Sequence, residues 1–142
     1  MITCTRTIEF DYGHRVFKHE SKCRHIHGHR GVVEVTAKLD TELDSLGRVI
    51  DFSVLKEKIG GWIDSNWDHN FLVSQYDVET RKALLAISDS RPPYICSFNP
   101  TAENMAEYLL KVVCPEVLNG TGVTITKVIF HETPNGKAEA CL

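Results

Sequence analysis

Seven residues of the 142, Cys23-Arg-His-Ile-His-Gly-His29, gather one thiol and three imidazoles. His27 and His29 stand two apart. On an extended strand alternate side chains leave the same face, so both rings can meet one metal ion, and Gly28 between them has no side chain to crowd it. Neutral imidazole suits Zn²⁺, and a catalytic zinc usually takes three protein ligands and keeps a fourth position open. One more histidine is therefore required. The same stretch also admits a closed Cys-His₃ zinc in which Cys23 saturates the metal and only the fold benefits. A lone His-x-His pair, with nothing else around it, is more often a solvated strand surface.

The elements that would position these groups follow from hydrophobic periodicity. Ile8, Phe10 and Tyr12 alternate with Thr7, Glu9 and Asp11, which predicts a half-buried strand within Thr3 to Val16, and His14 continues the apolar parity. Phe17 to Arg24 is polar and basic and has the character of a loop. After His29, Val33, Val35, Ala37 and Leu39 alternate with Glu34, Thr36 and Lys38 in a second strand. If the two strands are antiparallel neighbours, His14 lies at the same end as His27 and His29. His14 is then the third ligand, and His25 and His19 are the alternatives.

Further along, Arg48 to Phe52 resembles a short strand running into a helix capped by Asp51 or Ser53, with Leu55, Ile59, Trp62 and Ile63 as its apolar stripe. Gly60-Gly61 weakens the middle of that helix, which should end near Trp67. Val78 to Ile87 fits a short helix, and the rest of Val73 to Pro100 has no clear period. Ala102, Met105, Ala106, Leu109, Leu110 and Val113 define a clear helix, with Asn99 or Thr101 as N-cap and Pro115 as the stop. Val123 to Thr133 alternates as a long strand, and Pro134-Asn-Gly136 turns the chain into a last strand from Lys137 to Leu142. The expected class is α+β, a four-stranded antiparallel sheet with two main helices on one face.

Length and 42% hydrophobic content suit one domain, residues 1–142. A net charge of -3 argues against nucleic-acid binding, which demands a basic excess. Locally the balance reverses: Arg15, Lys18, Lys22, Arg24 and Arg30 stand against Glu20 alone, which suits a small anionic ligand. Five scattered cysteines without a Cys-x-x-Cys pair suggest a reduced cytoplasm, and no stretch has the character of a signal peptide or a membrane span.

Three further groups could do chemistry. Cys23 beside a dication is a candidate base or nucleophile, and His69, oriented by Asp68, is the usual partner for such a thiol. Glu132 ends the strand before the last turn. Taken singly, each has a plainer role: a buried small residue, a helix cap, a solvated strand end.

Taken together they carry a resemblance. Phe10-Asp-Tyr-Gly-His-Arg15, Cys23-x-x-x-His-Gly-His29, Val49-Ile-Asp-Phe52, Asp68-His69, Asn99-Pro-Thr-Ala-Glu103 and His131-Glu-Thr133 resemble, in order, the motifs of the 6-pyruvoyl-tetrahydropterin synthase family. Three residues between Cys23 and His27 resemble its bacterial, carboxy-forming branch of the queuosine pathway, whereas the pyruvoyl-forming enzymes usually have five. The resemblance implies zinc on His14, His27 and His29, Cys23 as proton-abstracting base, and Asp68-His69 as relay. It implies Glu132 as the carboxylate that grips the pterin and joins the proton traffic, with Thr101 and Glu103 lining the pocket. It further implies the tunnelling fold, a homohexamer built as a dimer of trimers with sites between subunits, and 7,8-dihydroneopterin triphosphate as substrate. Three features depart from the pattern: Asn70 after Asp68-His69 where a second histidine is common, His131 where a lysine is common, and a long Val73 to Pro100 segment.

Overall fold

The alternation of the first two long strands sets the sheet. Strand β1, Cys4–His14, buries Ile8, Phe10, Tyr12 and His14 on one face and exposes Thr5, Thr7 and Glu9 on the other. Strand β2, His27–Leu39, buries Val33, Val35 and Ala37 in the same manner. The computed structural model, which describes residues 1–142, pairs them antiparallel without a break from Cys4↔Ala37 to His14↔His27. Opposed residues of such a pair share a face, so Tyr12↔His29 and His14↔His27 put all three histidines on the buried side at one end.

Two short strands, β3 (Asn70–Ser74) and β4 (Tyr94–Cys96), extend the sheet beyond β1 and run parallel to it. On the other side β5, Val123–Thr133, and β6, Gly136–Cys141, complete an antiparallel set with β2. The sheet is thus six-stranded and mixed, in the order β4-β3-β1-β2-β5-β6, and not the four-stranded antiparallel sheet expected. The reason is physical: Leu72, Val73 and Ser74 are buried in succession, so β3 lacks a period of two, and β4 has only three residues.

Helices cover the apolar face. Helix α1, Phe52–Leu55, continues through a wider π-helical turn at Lys56–Gly60 into α2, Gly61–Asn66. The weak point expected at Gly60-Gly61 thus coincides with that turn. Arg48 to Phe52 is not a strand: the Arg48 amide is bonded to the Asp44 carboxylate at 2.9 Å, and Asp51 caps α1 by accepting the Ser53 amide at 2.8 Å. Helix α3 spans Val78–Leu85. Helix α4, Ala102–Tyr108, passes through a second π-helical turn, Leu109–Val113, into α5, Cys114–Val117. Pro115 does not stop it. The Cys114 amide reaches back to the Leu109 carbonyl, and this widened turn admits a ring that would otherwise clash with the carbonyl four residues earlier. Leu55, Ile59, Ile63, Met105 and Leu109 meet Ile8, Phe10, Val33, Val128 and Phe130 in one continuous core.

One partly buried ion pair ties α3 to the residue that follows β1. Asp77 is 1% exposed, caps α3 through the Thr80 amide, and accepts Arg15 Nε at 2.7 Å and Nη2 at 3.3 Å. Removing the carboxylate strands both the cap and the guanidinium. Asp77→Ala should therefore lower the unfolding free energy by about 2–4 kcal/mol in urea titration. A change below about 0.5 kcal/mol would mean that Arg15 and α3 find other partners.

Candidate metal centre and active site

His14, at the end of β1, and His27 and His29, at the start of β2, turn their rings toward one another. Ring centroids lie 4.7 to 5.1 Å apart, and one nitrogen of each ring falls within 4.8 Å of the other two. Backbone carbonyls fix two of the tautomers. His14 Nδ1–H donates to the Pro100 carbonyl at 2.7 Å and His27 Nδ1–H to the His25 carbonyl at 2.6 Å, so their Nε2 lone pairs, 3.1 Å apart, face each other. His29 Nε2 is buried and has no hydrogen-bond partner. Burial lowers the pKa of His14 to about 4 and also lowers that of His29, which keeps both rings in the neutral, ligating form near pH 7. Bare lone pairs aimed at one another repel, whereas a dication between them satisfies all three. This donor set fits a possible metal site.

Glu132 borders the cluster, with Oε1 3.4 Å from His14 Nε2 and 3.6 Å from His29 Nε2. It also lines a cavity of about 290 Å³ together with Cys23, Thr101, Glu103 and Lys137. Cys23 is a free, half-buried thiol in a single 3₁₀ turn, Lys22–Arg24. Its sulfur lies more than 4.8 Å from at least one of the three nitrogens, so the saturated Cys-His₃ arrangement is not formed. The alternative ligands are also absent from the cluster. His25 contributes only its backbone carbonyl, and His19 Nδ1 accepts the Ser21 amide at 2.9 Å.

Asp68 and His69 sit in the turn between α2 and β3. The Asp68 carboxylate accepts the Asp11 amide at 3.0 Å and lies 3.0 Å from His69 Nδ1. Partial burial opposes ionisation of Asp68, yet the Asp11 amide and His69 together hold its carboxyl below the ordinary range. His69 itself is exposed. It lines a second cavity, of about 650 Å³, with His27, Arg30, Phe71 and Arg91. One chain therefore does not bring His69 into the cavity of Cys23, contrary to the pairing of the two that the residue types invite.

The family profile described as 6-pyruvoyl tetrahydropterin synthase matches residues 3–141. The chain belongs to that family. It is 39% identical over 135 residues to a 6-carboxy-5,6,7,8-tetrahydropterin synthase of Rickettsia bellii (strain RML369-C), covering 95% of this chain and 96% of the relative. Among solved structures, an uncharacterized protein from Wolinella succinogenes superposes with a TM-score of 0.82 at 25% identity, covering 99% of this chain and 97% of that one. The 6-pyruvoyl tetrahydropterin synthase of Caenorhabditis elegans gives a TM-score of 0.69 at 25% identity, covering 99% and 95%. This is an enzyme of the tetrahydropterin synthase family, and no helix in it is long and apolar enough to cross a membrane.

Within this tetrahydropterin synthase fold, several contributors to the site leave little trace in sequence. Asn99 clamps the loop after β1, its Oδ1 accepting the Phe17 amide and its Nδ2 donating to the Phe17 carbonyl, both at 2.9 Å. That clamp sets the Pro100 carbonyl against His14. Thr101 is the N-cap of α4, accepting the Asn104 amide at 3.2 Å, and also lines the Cys23 cavity. Carbonyls of Pro100 and His25 act through backbone, so no residue type announces them. The side chain of Asn99 is the one legible signal, an Asn-Pro pair standing just before a helix cap. Gly13 is required by close approach: a Cβ there would meet the Phe71 ring at 2.9 Å.

Proposed function

We propose that the chain converts 7,8-dihydroneopterin triphosphate and one water into 6-carboxy-5,6,7,8-tetrahydropterin, releasing triphosphate and acetaldehyde, as a zinc-dependent lyase of the queuosine pathway. The observation that carries this reading is the position of Glu132, which borders the three histidines and shares one cavity with the free thiol of Cys23. The carboxy-forming branch is favoured over the pyruvoyl-forming one by the three-residue gap between Cys23 and His27 and by the names of relatives such as that of Rickettsia bellii.

His14, His27 and His29 would hold the zinc. Bound there, zinc would supply Lewis acidity toward the hydroxyls of the substrate side chain. The chain's own residues do the rest. Glu132 accepts paired hydrogen bonds from the amino and ring N–H groups of the pterin, which orients the side chain. Cys23 removes a side-chain proton at its sulfur. Thr101 and Glu103 line the pocket. His69, oriented by Asp68, relays protons, and its separation from Cys23 within one chain is accounted for if it serves the cavity of a neighbouring subunit. The proposal accordingly includes a homohexamer, a single domain over residues 1–142 and a cytoplasmic location.

Incubating the zinc-loaded protein with 7,8-dihydroneopterin triphosphate and identifying every product by mass tests the reading. Acetaldehyde together with 6-carboxytetrahydropterin is the expected result. A pyruvoyl product without acetaldehyde would assign the other branch, and a substrate that binds but persists would leave a pterin-binding domain without turnover.

A further inference from the structure

We propose that Arg91 is a positioning residue for His69, pinning the Asp68–His69 peptide and so aiming the imidazole. This rests on the relay role of His69 proposed above. His69 has φ of 53°, in the left-handed region that only a few per cent of non-glycine residues adopt, histidine being among the more tolerant. Such a conformation persists only where the surroundings over-determine it. Here both poles of one peptide unit are held. Its N–H, from His69, donates to the Asp11 carbonyl at 2.7 Å, and its C=O, from Asp68, accepts Arg91 Nη1–H at 3.0 Å. A peptide plane fixed at both ends cannot flip, and a flip of this plane would change the φ of His69.

The chemistry of the clamp suits arginine. The second arm, Nη2, donates to the Ser65 carbonyl at 2.6 Å, in the last turn of α2. Carbonyls at the end of a helix lack intrahelical partners and carry partial negative charge, which a cation with a rigid two-armed fork satisfies. Lysine offers one nitrogen and no fork. Arg91 comes from the connection between α3 and β4, more than twenty residues beyond the turn it holds. The segment whose sequence has no period thus reaches the candidate site through one side chain.

The rival outcome is direct contact with an anionic ligand, since Arg91 also lines the 650 Å³ cavity. A double-mutant cycle separates the two. The full-length, zinc-loaded protein is assayed with 7,8-dihydroneopterin triphosphate as wild type, Arg91→Ala, Arg91→Lys, His69→Ala and the Arg91→Ala/His69→Ala pair, alongside amide hydrogen exchange at His69. Arg91→Ala should lower kcat about tenfold to a hundredfold with KM changed less than about twofold, and Arg91→Lys should not restore it. In the His69→Ala background the same change should cost nothing more. Exchange of the His69 amide should quicken by about tenfold or more in Arg91→Ala. An equal penalty in both backgrounds, or a rise in KM, overturns the proposal in favour of ligand contact. Unchanged kcat overturns it outright. If the wild type leaves this pterin untouched, it is the proposed function that fails; the exchange measurement still decides the clamp, and an unaltered rate at His69 sinks it.

Discussion

Cys23→Ala protein is expected to keep its zinc and to lose turnover by about 10²–10⁴-fold, the usual worth of a positioned general base. Two observations separate the sulfur from metal holding. Cys23 Sγ stands outside the group formed by the three imidazole nitrogens, and it lines a cavity together with Glu132. Removing it deletes a proton acceptor and leaves every proposed ligand in place. Metal analysis after dialysis, together with the rate of product formation, reads both quantities from one sample. Loss of zinc from Cys23→Ala to the extent seen in a histidine variant would return the site to the structural class.

His27→Ala is expected to fail in the opposite order. With its Nδ1–H fixed on the His25 carbonyl, His27 offers one nitrogen in one direction, and no other imidazole stands in the cluster to replace it. Two histidines remain where a catalytic zinc normally has three protein ligands. Zinc content should drop below about a tenth of an equivalent after dialysis, and turnover should fall by about 10³-fold or more because the Lewis acid is gone. Zinc binding to the folded state alone also adds to stability, so added zinc should raise the Tm of the wild type and leave that of His27→Ala unmoved. A variant that retained a full equivalent and the wild-type rate would refute the assignment of this ligand.

The convergence of His14, His27 and His29 was legible because it depends only on strand parity and pairing. Ile8, Phe10 and Tyr12 mark the buried face of β1, His14 continues it, and an antiparallel partner then brings His27 and His29 alongside. The stripe from Ala102 to Val113 was legible through the 3.6-residue period of a helix face. The added strands β3 and β4 were not, because parallel, buried, short strands carry no alternation. Pro115 misled because its usual effect on a helix presumes an α-helical turn before it, and this one is widened. The Pro100 and His25 carbonyls and the Arg91 clamp were hidden for a different reason. Their function lies in backbone atoms or in a contact across more than twenty residues, and neither has a compositional mark. The separation of His69 from Cys23 is likewise a matter of three dimensions, since residue types say which groups suit one another and not which cavity each one lines.

The uninterrupted ladder from Cys4↔Ala37 to His14↔His27 has a kinetic consequence. All three imidazoles hang from a single zipped ribbon, so nothing on the scale of a hinge or a lid separates one ligand from the next. An ion seated among them would leave by stepwise detachment of rings, two of which, His14 and His27, are tethered by backbone carbonyls, or else would wait for the ribbon's end to fray. Exchange against a chelator should then track the opening of the His14 end of that ribbon, slow when the terminus is closed and quick when it breathes.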